Sequence, residues 1–359
     1  MDQNTPNLSV NRRTLLGAAA IGGVALTGIG GVLFAENLVG PWRLTARRVV
    51  DVLEKTTGRA FPGFRRNHAK GVAVSGYLES NGNGQELSKA SVFLAGRYRV
   101  EGRFSLSGGN PHAADSPSSV LGLGLQVFLP HGEQWRTAMV NLPVFLDATP
   151  ADFYTRTLAF APDPATGKPD PQRVARYLAA HPVTAAARDI VNREPPAPSF
   201  AASTFRGLNA FEFTNSAGRT VPVRWMLVPE NAGTRPRGSN NSDNKLFDEL
   251  VRAIKHAPLR WKLVITIGER GVDPTHDATK PWPKDRPQVE VGTIVLDRVC
   301  TEAAANVRDV NFDPLVLPDG IAGSDDPLLS ARSAIYSESY RRRSGEHPAS
   351  GAVVVEDVR

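Results

Sequence analysis

Four short strings carry the side chains whose chemistry is most readily put to use. In RRNHAKG, Arg65 to Gly71, one histidine stands among cations and before small residues. Imidazole titrates near neutral pH and can act as base or acid, although a lone histidine is more often structural. GRFSLSGGNPHAAD, Gly102 to Asp115, puts Arg103 and Ser105 just ahead of a Gly-rich turn, a pattern that also describes a strand with a polar face. In MVNLPVFLDA, Asn141 interrupts an apolar run; a buried amide needs partners, so it either ties backbone together or is aimed into a pocket. In SARSAIYSESYRRR, Arg332 and Tyr336 are four apart, as are Tyr336 and Tyr340, which makes them neighbours on one helix face. The basic run that ends at Arg343 has the composition of a solvated face.

Composition limits what can hold these strings. The 359 residues include 42 Lys+Arg, 36 Asp+Glu and 41% hydrophobic residues, ordinary globular material that excludes disorder and collagen-like repeats. With 28 Pro and 32 Gly the chain predicts many turns, hence an irregular α+β domain rather than a helical bundle. The single cysteine, Cys300, excludes an internal disulfide and a Cys-based zinc or iron–sulfur site, and reads as an inert buried thiol. Its net charge of +6 is dispersed and gives no footprint for nucleic acid.

Apolar spacing predicts a helix over Trp42–Thr57, then strands in AVSGYLES, SVFLAGRYRVEGRFSLS, LGLGLQVFL and TAMVNLPVFLDA, separated by turn compositions. Helical patterns follow in DFYTRTLAF and PQRVARYLAAHPVTAAARDIV. Strands return in LNAFEFTNSAG and RTVPVRWMLVPE, joined by the turn NSAG. The helix NKLFDELVRAIKHA leads into the strand WKLVITIGE, and the prolines of THDATKPWPKDRPQVEVGTIVLDRV argue for an extended wrapping segment. PLLSARSAIYSESYRRR is the last helix. Several long antiparallel strands in succession suggest a barrel or sandwich.

Taken in order, the four strings resemble haem catalases, and more closely the shorter catalase-related peroxidases. The resemblance runs from about Phe61 to about Gly345 and includes ATKPWPKDRPQVEVG and FDPLVLPDGI. It implies an antiparallel β-barrel of about eight strands with a wrapping segment and helices, and buried haem b (iron protoporphyrin IX). It implies that His68 is the distal acid–base group, that Ser105 orients it and that Asn141 holds the peroxide, while Tyr336 is the iron ligand. A phenolate ligand calls for a nearby cation, and Arg332, one helical turn earlier, fits. Arg65, Arg103 and Arg343 match the arginines that bind haem propionates. The implied activity is reduction of hydrogen peroxide or small organic hydroperoxides by an organic electron donor, with residual catalase activity. The alternatives are a true small catalase, an enzyme that rearranges lipid hydroperoxides, and a non-catalytic haem-binding barrel.

Some positions depart from the family pattern. Asn67 stands where large catalases carry a branched apolar residue, which predicts a more polar pocket mouth. Ser118 and Ser119 replace an Arg-Asp pair, and Tyr340 stands where a His is common. The C-terminal helical region of ordinary catalases does not follow the last helix. These departures bear on disproportionation rate and tetramer formation and leave the iron chemistry intact.

At the N-terminus, Arg12 and Arg13 precede a charge-free stretch from Thr14 to Ala35, the pattern of an export signal. NRRTLLG resembles a twin-arginine signal. Residues 1–35 are therefore expected to engage the twin-arginine export machinery and send a domain of residues 36–359 to the periplasm. The alternative is an uncleaved anchor over residues 15–35, since about 20 apolar residues suffice to span a bilayer.

Overall fold

The structure, a computed structural model, describes residues 44–116, 119–196, 199–230, 242–303, 306–347 and 350–355. The export segment expected over residues 1–35 and the position of Ser118 lie outside the described residues.

Alternating apolar residues drive one face of each strand into a common interior. β1 (Gly71–Ser80), β2 (Gly96–Leu106), β3 (Leu121–Phe128) and β4 (Gln134–Val140) form an antiparallel meander. β5 (Phe205–Arg206) and β6 (Phe211–Thr214) both pair with the same edge of β7 (Thr220–Pro229), so together they fill one interrupted strand position. β8 (Leu259–Ile267) and β9 (Gln288–Cys300) then carry the sheet back to β1, and β7 pairs with β8. The ring is a closed antiparallel barrel of eight positions, to which β10 (Ile321–Gly323) adds a short pairing on β6. Closure pairs the edges that an open sheet would leave to solvent.

Aromatic side chains fill the barrel. Phe104 packs on Phe200, Phe205 and Trp261 with ring centroids 5.0, 5.7 and 5.9 Å apart, and Trp225 stacks on Phe211 at 4.1 Å. Two of the buried indoles are tied by hydrogen bonds: Trp225 Nε1 donates to Thr137 Oγ1 at 3.0 Å and Trp261 Nε1 to the Ser203 carbonyl at 3.0 Å, while Trp135 Nε1 is buried without a partner. α5 (Lys245–His256) adds Leu246, Phe247, Leu250 and Ile254 to the same core. With its interior full, the barrel can hold a large ligand only outside its wall. There α1 (Ala46–Thr56), α2 (Pro150–Ala159) and the long α6 (Pro327–Ser344) pack together. Arg342 of α6 clamps Asp51 and Glu54 of α1 at 2.7 and 2.8 Å.

Three expectations change. The strand expected from Ser91 begins only at Gly96, because Val92 and Phe93 are consecutive and both buried, which a strand with alternating faces cannot achieve; a 3₁₀ turn over Ser91–Phe93 does. The helix expected through residues 171–191 breaks at His181–Pro182 into α3 (Pro171–Ala180) and α4 (Pro182–Arg193), since Pro182 lacks an N–H and disfavours helix at the residue before it. The Pro-rich stretch is irregular only as far as Pro287; the proline-free Gln288–Cys300 is a 13-residue barrel strand bonded on both edges.

Candidate active site

Between the outer wall of the barrel and α2 and α6 lies a mainly apolar cavity. A row of directly opposed residues crosses five strands on its barrel side, Gly71, Ser105, Gly122, Val140 and Arg206, and the last four line the cavity. His68 lies against this row. Its backbone is left-handed, with φ 55°, and Asn67 Oδ1 holds that turn by accepting from the His68 and Gly108 N–H groups at 2.9 and 2.8 Å. Asn67 lines the cavity, as its polar character predicts, but its oxygen is committed to backbone. The imidazole Nδ1 pairs with Ser105 Oγ at 3.1 Å. Gly122 gives the ring its space, because a Cβ there would sit 2.8 Å from Ser105 Oγ and 2.9 Å from His68 Nδ1. Burial, and then the field of Arg103, Arg332 and Arg65, lowers the His68 pKa to about 3. The ring is therefore neutral at pH 7, with a lone pair able to take a proton.

α6 supplies the other side. Its start is fixed by Asp326, whose carboxylate accepts from Leu328 N–H at 2.8 Å ahead of Pro327, a capping arrangement legible in the sequence DDP. The same Asp326 accepts from Asn209 Nδ2 at 2.7 Å; Asn209 Oδ1 accepts from Arg332, and Arg332 reaches the Ala138 carbonyl at 2.8 Å and Tyr336 Oη at 3.3 Å. Arg332 and Tyr336 thus meet as their spacing predicts. The Asp326–Asn209 support was not anticipated, because Asn209 is 123 residues from Arg332 and no local pattern marks it.

The propionate-binding expectation brings Arg65, Arg103 and Arg343 together. Arg65 donates to the Val307 and Val310 carbonyls at 2.9 Å each, and Arg343 shares the Val310 carbonyl at 3.2 Å. Arg343 is 3% exposed, so it is not on the solvated face its composition suggested. Burial, and then Arg103, lowers its pKa to about 10. Sequence reasoning missed Glu302, which is buried and pairs with Arg103 Nε at 2.7 Å. Burial alone would raise its pKa, but Arg103, followed by Arg65 and Arg343, pulls it below the ordinary carboxylate range. No period or motif marks this acid; only the fold brings it to the arginines.

Asn141 is placed differently from the other expected site residues. β4 ends at Val140, and Asn141 exchanges hydrogen bonds with Leu121: its N–H donates to the Leu121 carbonyl at 3.0 Å and its Oδ1 accepts from the Leu121 N–H at 2.9 Å. Val140 lines the cavity and Asn141 adjoins it without lining it.

These residues fit a flat apolar group with two carboxylates on one edge. Leu53, Phe145, Phe153, Phe312 and Ile335 give apolar walls. At the arginine cluster Arg65 Nε is buried and has no hydrogen-bond partner, a donor left for an incoming acceptor. Tyr336 is the oxygen donor that an iron could use, and among the described residues no group of three or more His, Cys, Asp or Glu could hold a metal instead.

Comparison with known proteins agrees. The family model described as catalase matches residues 39–350. A catalase-related peroxidase of Synechococcus elongatus is 37% identical over 323 residues, 89% of this chain and 93% of that protein. One from Mycolicibacterium paratuberculosis is 30% identical, over 84% and 96%. The structure of catalase A from Saccharomyces cerevisiae superposes with a TM-score of 0.70 at 20% identity, covering 79% of this chain but only 62% of that one, so the chain spans under two thirds of that catalase. With most of its length matched by the family model, this chain belongs to the catalase family.

Proposed function

We propose that the protein is a haem b peroxidase that reduces hydrogen peroxide or a small organic hydroperoxide at the expense of an organic donor. The observation that carries this reading is one cavity lined by a neutral His68 paired with Ser105, by Tyr336 paired with Arg332, and by three arginines. Tyr336 would hold the iron, and Arg65, Arg103 and Arg343 the propionates. Bound there, haem supplies the redox chemistry for cleaving the peroxide O–O bond and for drawing electrons from the donor.

The protein's part is proton transfer and positioning. His68 takes the proton from one peroxide oxygen and returns it to the other, so that the departing oxygen leaves as water; such acid–base help contributes about 10²- to 10⁴-fold. Ser105 Oγ keeps the ring oriented through Nδ1, which leaves Nε2 as the working nitrogen. Asn141 adjoins the cavity with Oδ1 committed to the Leu121 N–H, so any contact it makes with peroxide would have to come from Nδ2. Arg332 donates to the Tyr336 oxygen at 3.3 Å and holds it in place.

The test is haem retention and turnover in two variants. His68→Ala is expected to keep haem and lose about 10²-fold or more of peroxide-driven oxidation, whereas Tyr336→Phe is expected to lose stable ferric haem. Unchanged turnover in the first, or an unchanged haem spectrum in the second, refutes that role. Oxygen release exceeding donor oxidation would identify a small catalase instead.

We infer further that residues 1–35 direct export by the twin-arginine route, leaving residues 36–359 as the periplasmic catalytic domain. Arg12 and Arg13 before the charge-free stretch support this. Changing both to Lys and fractionating the cells tests it; undiminished export refutes it.

A further inference from the structure

Hydrogen peroxide is small and uncharged, and the carboxylates of haem already have three arginines, yet the cavity holds another cation at a different place. Arg206 closes the cross-strand row that begins beside His68. Residues directly opposed in a sheet share a face, and Ser105, Val140 and Arg206 all line the cavity. The residue before it, Phe205, is fully buried inside the barrel, so Arg206 must project outward into the chamber. Three strand spacings of about 4.8 Å put its Cα about 14 Å from that of Ser105, on the same wall and three strands from β2, which carries Arg103.

Arg206 is not spoken for. Its hydrogen bond within the protein is one long contact to the Asn141 carbonyl, 3.4 Å, and among the described residues no carboxylate forms an ion pair with it. Glu194, the acid whose charge acts on it, is solvent-exposed at the end of α4. The cavity that Arg206 lines is mainly apolar, with Phe145, Pro150, Phe153 and Leu208 among its walls. A half-buried guanidinium without a counter-ion on an apolar wall is costly unless an anion completes it.

We propose that Arg206 binds the carboxylate of an organic hydroperoxide whose apolar body lies along this wall and whose peroxide end reaches His68, so that the enzyme selects carboxylate-bearing hydroperoxides over neutral ones. The hydroperoxide part rests on the peroxidase reading; the carboxylate site does not.

The experiment compares the haem-loaded wild type with Arg206→Gln and Arg206→Lys. Binding of para-carboxycumyl alcohol, which cannot react as a peroxide, is measured by calorimetry. Turnover of para-carboxycumene hydroperoxide is measured against cumene hydroperoxide with one neutral phenol as donor. The expected result is a loss of about 10- to 100-fold in alcohol affinity and in the carboxylate-to-neutral ratio of kcat/KM for Arg206→Gln, carried by KM. Arg206→Lys should restore part of it, since it keeps the charge without the fork. Equal alcohol binding by wild type and Arg206→Gln overturns the proposal, and so does loss of haem from both variants, which would assign Arg206 to the cofactor. An unchanged hydroperoxide ratio, with Arg206→Gln instead lowering kcat/KM for a phenolic acid relative to a neutral phenol when hydrogen peroxide is the oxidant, overturns the hydroperoxide assignment in favour of the donor. Absence of all peroxide turnover in wild type, with the difference in alcohol binding intact, refutes the peroxidase reading and supports the carboxylate site.

Discussion

His68 combines two features that cost stability and serve a proton-transfer role. Its left-handed backbone, φ 55°, is disfavoured by about 1–2 kcal/mol for a residue with a Cβ, and Asn67 offsets this by bonding both sides of the turn. Burial beside three arginines lowers its pKa to about 3. As the pH falls below about 6.5 the unfolded chain binds a proton that the folded ring refuses, so this residue withdraws stability progressively between about pH 6.5 and 3. Above that window it is neutral in both states and neutral for folding. The same shift sets the activity profile: the rate of the peroxide-consuming step should stay level from pH 7 down to about 4.5 and lose its base only nearer pH 3. An acid limb centred near pH 6.5 in kcat/KM for peroxide would show that His68 is not held neutral.

At the scale of elements, the site depends on strands and a helix that are correct to within a methyl group. The place beside Ser105 and His68 is vacant only because position 122 of β3 is glycine, and a Cβ there would meet both side chains inside 3.0 Å. Gly122→Ala is expected to leave the barrel folded, keep haem and push the imidazole off its position. Misplacement of about 1 Å costs on the order of 10²-fold in rate, and single-turnover kinetics with peroxide would measure it; a rate within about twofold of wild type would mean that the ring has slack. α6 is held with similar care at its first turn, where Asp326 caps the helix and, through Asn209, orients the Arg332 that meets Tyr336.

For the molecule as a whole, the arginine cluster is a knot between distant segments. Arg65 precedes the histidine turn, Arg103 is on β2, Glu302 follows β9 and Arg343 ends α6; the segment from Ser350 to Val355 lies over Thr301 and Glu302, with Val355 and Thr301 Oγ1 exchanging bonds of 2.7 and 2.9 Å. Glu302→Gln leaves the buried Arg103 without its ion-pair partner and takes the nearby negative charge from Arg65 and Arg343. Breaking a buried pair costs about 3–5 kcal/mol, so haem-free Glu302→Gln should unfold at markedly lower denaturant. Haem carboxylates can answer the same guanidinium groups, so the haem-loaded variant should lose less. Denaturation of both forms checks this, and an equal loss in both would mean that Glu302 and the cofactor do not share the arginines.

The sequence by itself determined what depends on short range. Period-two alternation located most barrel strands, and the i,i+4 spacing put Arg332 beside Tyr336. Motif resemblance named His68, Ser105 and the three arginines, and the structure gathers all of them, with Tyr336 and Arg332, around one cavity. Tertiary structure decided what depends on distant residues. Proline content concealed a barrel strand at Gln288–Cys300, because strand character there comes from two neighbours that accept its hydrogen bonds. Val92 and Phe93 left the strand because both were needed in the core. Glu302, Asn209 and Arg206 acquire their partners, or their lack of one, across 65 to about 240 residues of chain. A buried charge is defined by what surrounds it once water is gone, and no local pattern contains that information.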